Sequence, residues 1–137
     1  MTANASLPVD IETMRASAGR LLAPDATVPS AQELETLMLM LKGHLALVIP
    51  EVERAAAGPD EDYDLARVCA WTAVTESRRK LRIEPRPGLS SHIAYARRLS
   101  RSLNALCDHF EILNIARPEE ARLDGGGTPG PSSRKNG

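Results

Sequence analysis

Three neighbouring side chains, Cys107, Asp108 and His109 in the segment "SLNALCDHF", have the chemistry of a metal or acid–base site. Thiolate, carboxylate and imidazole all bind metals, and the same groups transfer protons. Their segment, however, has a helical apolar pattern centred on Leu99. At about 100° per residue, Cys107 and His109 lie on opposite borders of that pattern, about 160° apart, and Asp108 points to solvent. We therefore predict that the three residues share no site. Cys107 and His109 lie at the borders of the apolar pattern, and the Asp108 carboxylate is solvated.

A second candidate combines residues from three predicted helices. His44 lies at the edge of the apolar stripe of the second helix. Glu76 lies on the predicted inward stripe of the third helix, together with Leu65, Cys69 and Thr72. An antiparallel hairpin would bring both to a similar height, together with Arg98 or Ser102 of the fourth helix. A buried carboxylate is costly unless it is paired. We predict a polar layer of His44, Glu76 and either Arg98 or Ser102. It is either a general-base or ligand site or, as we favour, a structural layer that fixes helix register.

Basic residues are concentrated between positions 78 and 101. This segment, the basic tip, has a local charge of +7, because Glu84 opposes eight cations: Arg78, Arg79, Lys80, Arg82, Arg86, Arg97, Arg98 and Arg101. Residues 51–64 have a local charge of −5, and we expect the two segments at opposite ends of the fold. The basic tip could hold a phosphate group or nucleic acid. It equally suits the C-terminal dipole of a helix, and the net charge of −1 does not favour nucleic acid.

Known catalytic and cofactor motifs are absent from the sequence. It contains no Glu-x-x-His pair, Cys-x-x-Cys, His-Glu-x-x-His, phosphate-binding loop, dinucleotide fingerprint or nucleophile elbow. We therefore expect no catalytic residue, no metal and no cofactor. Whether the chain is an enzyme stays open at this point, with a non-catalytic role favoured.

The composition indicates helices as the elements that carry these residues. Only 3% of the 137 residues are aromatic, so the core must be built from aliphatic side chains, which favours helices over sheets. The sequence predicts an all-α, up-down bundle of three long helices plus a shorter N-terminal helix. This single domain should span residues 9–116, between a disordered N-terminus (1–8) and a disordered tail (117–137).

Helix boundaries follow from capping and breaking residues. Asp10 is a candidate N-cap for a first helix that ends before Pro24, and Ser30 with Glu33 forms a capping box for the second. The second helix should extend to about residue 57 despite Pro50, which lies opposite its stripe. We expect the third helix between an N-cap at residue 60 and about residue 83, and the fourth between about residues 90 and 115.

The predicted second helix is apolar on almost every side, since Leu39, Ala46 and Leu47 lie off its main stripe. Either the first helix covers these residues, or they bind a protein partner or a second copy in a homodimer. The longest apolar run, residues 37–49, is too short to cross a membrane, so we expect no membrane association. Without a signal-peptide pattern or a disulfide framework, we expect a cytoplasmic protein.

Three segments, "LKGHLALVIPEVE", "TESRRKLRIEPRPG" and "YARRLSRSLNALCDHFEIL", resemble a family of small actinobacterial proteins of unknown function. The resemblance covers roughly residues 30–115 and includes the order of Gly43-His44, Ile49-Pro50-Glu51, Glu76 and Leu106-Cys107-Asp108-His109. Members occur in Streptomyces-like bacteria and are commonly labelled natural product biosynthesis proteins. The resemblance implies a link to secondary metabolism in an actinobacterial cytoplasm, and it implies no reaction and no catalytic residues.

The sequence supports three functional hypotheses. The preferred one is a small non-catalytic helical accessory or interaction protein associated with natural product biosynthesis. The first alternative is a small-molecule-binding or catalytic bundle that uses the His44/Glu76 layer. The second alternative is a nucleic-acid-binding or phosphate-binding regulator that uses the basic tip.

Overall fold

The computed structural model describes residues 9–57 and 64–115, and every regular element in these two ranges is an α-helix. There are four: α1 (Ile11–Leu22), α2 (Ala31–Ala56), α3 (Leu65–Leu81) and α4 (Leu89–Ile115). The predicted all-α class is confirmed for this part of the chain. Residues 1–8 and 117–137, predicted to be disordered, lie outside the described residues.

The first two helices begin at the predicted caps. Asp10 accepts a hydrogen bond from the Thr13 amide over 3.1 Å and caps α1. The capping box of α2 has both of its bonds: the Glu33 amide donates to Ser30 Oγ over 3.1 Å, and the Ser30 amide donates to Glu33 Oε1 over 2.9 Å. Each bond satisfies an amide that has no partner within its own helix. These two starts were predictable because the caps are local to the sequence.

Pro50 lies inside α2, which continues to Ala56 as predicted. Its side chain is exposed, so its ring does not interrupt the packed side of the helix. Because proline has no amide hydrogen, the Ala46 carbonyl cannot receive the usual hydrogen bond from residue 50. The helix therefore has one carbonyl on its outer side without its regular donor.

The third helix begins later than the sequence suggested. Its N-cap is Asp64, whose carboxylate accepts from the Ala66 amide over 3.0 Å. The predicted cap at residue 60 lies outside the described residues. At the other end Arg82 is the C-cap, and the connection to α4 contains Gly88 with a φ of 111°. That left-handed conformation suits glycine, which has no Cβ to clash.

The central element is α4, which packs against each of the other three helices, while α2 also contacts α1 and α3. Its buried seam includes Ala96, Leu99, Leu103, Leu106 and Leu113, as the regular spacing predicted. The largest fully buried side chains of the other helices are Met14, Leu41, Leu45, Val48, Val52 and Val74. The core is almost entirely aliphatic, as the low aromatic content requires.

The predicted core face of α3 is wrong. The sequence pattern placed Leu65, Cys69, Thr72 and Glu76 inward, but all four are exposed. Ala70, Val74 and Ser77 are buried instead. The apolar periodicity of α3 is weak, because its inward residues are small and two of its largest side chains, Leu65 and Trp71, face outward.

Two valines of α3 test this orientation. Val74 is 1% exposed and Val68 is 39% exposed, so the same truncation creates a cavity only at Val74. Val74→Ala should lower the free energy of unfolding by about 2 kcal/mol, and Val68→Ala should change it by less than about 0.5 kcal/mol. Urea denaturation of the two variants measures both values. Equal losses would show that α3 does not present Val74 to the core.

Candidate functional site

Cys107, Asp108 and His109 do not form a site. Cys107 is completely buried, His109 is half-buried and Asp108 is exposed. Asp108 instead pairs with α1: Arg15 Nη2 lies 2.8 Å from Asp108 Oδ1 and 2.8 Å from Glu111 Oε1. The exposure of Asp108 agrees with the predicted solvated carboxylate, whereas Cys107 is more deeply buried than the predicted border residue. Among the described residues, no group of three or more His, Cys, Asp or Glu side chains could hold a metal ion.

Burial also makes Cys107 chemically inert. The loss of hydration raises the pKa of its thiol to about 11, because the thiolate cannot be solvated there. The thiolate is the nucleophilic and metal-binding form of cysteine. Cys107 is therefore a small apolar core residue at neutral pH, whereas Cys69 of α3 is exposed.

The predicted polar layer does not form. Glu76 is exposed, because α3 is rotated away from the predicted face, and it accepts from Arg79 Nη1 on its own helix over 3.1 Å. Arg98 is exposed as well. Ser102 is buried and binds Lys80, whose Nζ lies 3.0 Å from Ser102 Oγ. Glu76 and Ser102 thus have separate partners and Arg98 is exposed, so the four residues do not form one layer.

His44 has a different partner, on α1. Its Nε2 lies 3.2 Å from Oγ of Ser17, and the Ser17 side chain is buried. This bond satisfies a hydroxyl that would otherwise be buried without a partner. His44 is therefore part of the α1–α2 interface, a contact that the sequence pattern did not indicate because serine carries no strong periodic signal.

The basic tip is partly neutralised. Arg78 forms a two-pronged pair with Glu53 of α2, including a 3.0 Å bond from Nη2 to Oε1, and this guanidinium holds the pKa of the Glu53 carboxyl below its usual value. The expectation that the acidic and basic segments lie at opposite ends is wrong at this contact. Two further cations are engaged, Arg79 with Glu76 and Lys80 with Ser102. The remaining members are exposed: Arg82, Arg86, Arg97, Arg98 and Arg101.

An open groove of about 520 Å³ lies between the N-terminal half of α2 and the start of α4. Its polar lining side chains are Glu35, Lys42 and His92. Two of them are already engaged: Lys42 Nζ lies 5.7 Å from the centre of the Tyr95 ring, and His92 Nδ1 lies 2.7 Å from the Gly88 carbonyl. A ligand site needs several polar groups that converge on the ligand, and this groove does not provide them.

The most unusual surface is the outward side of α2, which we call the α2 outer face. All of its residues are exposed and none carries a charge: Thr36, Leu39, Met40, Gly43, Ala46, Leu47 and Pro50. At about 100° per residue they fall within an arc of about 120°. Leu39 is 69% exposed, Leu47 48% and Met40 44%. No described helix covers this face, so the sequence-based alternative that α1 covers it is wrong.

Gly43 stands in the middle of the α2 outer face. A Cβ added there would meet no atom within 4 Å, so packing inside the chain does not require glycine. In the interior of a helix glycine costs about 0.5–1 kcal/mol relative to alanine. A glycine that the fold does not need, on an exposed apolar face, is typical of a place where another backbone approaches closely. Gly43 was noticed in the sequence only as a neighbour of His44.

Exposed apolar residues also occur on α3, where Leu65, Val68 and Trp71 face outward. This patch is shorter than the α2 outer face and lies beside polar residues such as Thr72 and Thr75. None of the described helices is long and apolar enough to cross a membrane. Large exposed apolar surfaces generally mark interaction sites, and the α2 outer face is the longest one described here.

Comparison with known proteins gives one match. Residues 12–114 match a family model described as "Family of unknown function (DUF6415)". No curated protein matches the sequence, and no solved structure matches it either.

The two cysteines should differ sharply in their rate of reaction with a thiol reagent. In the folded protein, Cys69 should react readily and Cys107 should not, because Cys107 is buried and its thiol has a raised pKa of about 11. Dithionitrobenzoate should therefore titrate one thiol per chain in buffer and two in denaturant. Cys69→Ser should show none before unfolding. Rapid reaction of this variant in buffer would contradict the burial of Cys107.

The Ser17–His44 contact should be visible as energetic coupling. Ser17→Ala and His44→Ala should each destabilise the fold by about 1–2 kcal/mol, because each leaves the other polar group without its partner. The double variant should cost less than the sum by at least about 0.5 kcal/mol. Urea denaturation of the four proteins measures this difference. The matched control is His44→Ala with Glu76→Ala, which should be additive because the two residues do not meet.

Proposed function

We propose that this chain, which belongs to the DUF6415 family of unknown function, is a small non-catalytic interaction protein that binds a protein partner through the α2 outer face. The observation that carries this proposal is that the α2 outer face, which runs from Thr36 to Pro50 with Gly43 at its centre, is exposed and carries no charge. Burying such a face against a partner removes apolar area from water, which is worth about 25 cal/mol per Å².

The engagement of the polar groups supports a non-catalytic role. The His44 and Glu76 side chains have separate partners, and Cys107 is buried with a raised pKa. General acid–base and nucleophilic catalysis need such groups within hydrogen-bond reach of one another or of the reacting atom. The basic tip is not favoured as a binding site either, because Arg78 and Arg79 are paired with acidic residues and its exposed arginines are divided between the α3–α4 connection and α4.

The up-down arrangement of the bundle is part of this proposal. Two contacts between α1 and α2 support it: Ser17 meets His44, and Arg20 lies 3.8 Å from Glu33, so the residue numbers run in opposite directions. Two contacts between α2 and α3 have the same sense, since Arg67 donates to the Ala56 carbonyl and Arg78 to Glu53. In such an arrangement α2 is an outer helix whose free side faces away from the bundle.

The biological setting rests on the sequence resemblance of residues 30–115. On this basis we propose that the protein acts in the cytoplasm of an actinobacterium, as an accessory protein of natural product biosynthesis. An interaction protein without its own chemistry suits such a role, because it can act by assembling or regulating other proteins. A crosslinking experiment should therefore be made in such a bacterium, and a captured partner unrelated to secondary metabolism would count against this setting.

Site-specific photo-crosslinking tests the proposed surface. A photoreactive amino acid at position 47 should form a defined adduct in native cells, because Leu47 lies on the α2 outer face. The control is the same amino acid at position 65, since Leu65 is even more exposed but lies on α3. Adducts are detected by gel electrophoresis and identified by mass spectrometry. Equal adducts from both positions, or no adduct from position 47, would overturn the proposal.

A further inference from the structure

We infer that the partner of the α2 outer face is a second copy of this chain, packed antiparallel with the two Gly43 residues at the crossing point. This inference rests on the proposed function and names its partner. It commits the face to one occupant, an identical helix, so that the two copies are related by a two-fold axis beside Gly43. Most soluble homo-oligomers are closed two-fold dimers of this kind.

The α2 outer face has the symmetric extent that a two-fold axis at Gly43 requires. Apolar or uncharged residues lie three, four and seven positions from Gly43 in both directions: Met40 and Ala46, Leu39 and Leu47, Thr36 and Pro50. Eleven positions away the face ends in polar residues on both sides, Gln32 and Arg54. In an antiparallel pair centred on Gly43, each apolar residue therefore lies at the height of another uncharged residue, and the polar ends lie beside each other.

The side chains are complementary in size on the two sides of this crossing. By helix geometry, Leu47 lies beside Met40 of the second copy, and Leu39 lies beside Ala46 of the second copy. At the centre, Gly43 faces Gly43, where no side chain separates the backbones and a Cβ has no intrachain contact. Two helices with an axis separation of about 8–10 Å then bring the facing Cα atoms close together. This explains why glycine is placed where the chain itself does not require it.

Charge complementarity favours a second copy over an unrelated apolar helix. Arg54 lies at the C-terminal end of the face; its side chain pairs with Glu51 of its own helix but is 67% exposed. Glu33 lies at the N-terminal end; its carboxylate lies 3.8 Å from Arg20 and is 61% exposed. In the antiparallel pair Arg54 lies on the same side and at nearly the same height as Glu33 of the second copy. The two-fold axis repeats this opposite-charge contact at both ends. A parallel pair would place Arg54 beside Arg54 and Glu33 beside Glu33.

The contact area of the proposed dimer is small, which limits its expected affinity. From Thr36 to Pro50 the face is about 21 Å long, four helical turns. Stable interfaces usually bury about 800 Å² on each partner, and a single pair of helices of this length buries less unless residues beside it contribute. We therefore expect a reversible dimer, whose population rises with protein concentration.

Sedimentation velocity of the full chain over a range of concentrations tests the dimer. The unmodified protein should shift from monomer to dimer as the concentration rises. Gly43→Leu should raise the dimer Kd at least tenfold while leaving a folded helical monomer, because leucine fits the open space around Gly43 but blocks close approach. Leu47→Glu should have a similar effect, and Leu65→Glu on α3 should have none.

Cysteine crosslinking tests the register in a Cys69→Ser background. Gly43→Cys should form an intermolecular disulfide on mild oxidation, because residue 43 faces itself across the two-fold axis and facing Cα atoms fall in the disulfide range. A mixture of Met40→Cys and Leu47→Cys chains should give a mixed dimer faster than either chain alone gives a self-dimer, because residue 47 lies beside residue 40 of the second copy. Leu65→Cys is the control and should stay reduced.

The outcomes separate this inference from the proposed function. A concentration-dependent dimer that Gly43→Leu weakens and Gly43→Cys locks supports both. A monomer at every concentration, combined with a photo-adduct to a different protein at position 47, would overturn the second-copy inference and leave the proposed function standing. A dimer that Gly43→Leu and Leu47→Glu do not weaken would overturn the inference, because the copies would then meet elsewhere.

Discussion

The burial of α4 is the constraint on which the rest of the structure depends. Its seam of Ala96, Leu99, Leu103, Leu106 and Leu113 is long enough to receive three helices, and α1, α2 and α3 each pack against it. Two polar side chains of α4 have partners on the neighbouring helices: Ser102 binds Lys80 of α3, and Asp108 pairs with Arg15 of α1. Because α2 uses only one side for this packing, its opposite side remains outside the bundle. The free surface of the protein is thus a consequence of which helix is central.

Helices with strong local signals could be predicted from the sequence, and α3 could not. The cap of α1, the capping box of α2 and the seam of α4 depend on residues close in sequence or on a regular apolar repeat. In α3 the buried residues Ala70, Val74 and Ser77 contribute little apolar contrast, whereas Leu65 and Trp71 are large and exposed. Its orientation is fixed by its neighbours: Arg78 binds Glu53 of α2, and the Tyr95 hydroxyl of α4 donates to the Lys80 carbonyl over 2.7 Å. These contacts join residues that are far apart in sequence, so no periodic pattern in the sequence of α3 reveals them.

The error in α3 carried over to the predicted polar layer. Glu76 could contact His44 only if α3 presented the predicted face to the core. Because that face points to solvent, Glu76 binds Arg79 of its own helix and His44 binds Ser17 of α1. The α2 outer face had a visible signal, since Leu39, Ala46 and Leu47 lie off the main apolar stripe. The sequence could not decide whether another helix covers them, because α1 is apolar enough to do so but packs largely against α4. The extent of the face, from Thr36 to Pro50, became clear only when its exposure was known.

The attachment of α1 has a consequence for how the protein opens. With 12 residues, α1 is at the lower limit of length for a helix that is stable by itself in water. Its order therefore depends on the contacts of Met14, Ala18 and Leu21 with the core and on the Arg15 and Ser17 side-chain bonds. Such an element detaches at a lower free energy than the global unfolding that exposes the seam of α4. The amides of α1 consequently exchange with solvent through a partial opening in which α2, α3 and α4 remain packed, and this opening separates His44 from Ser17 for short periods without unfolding the rest of the chain.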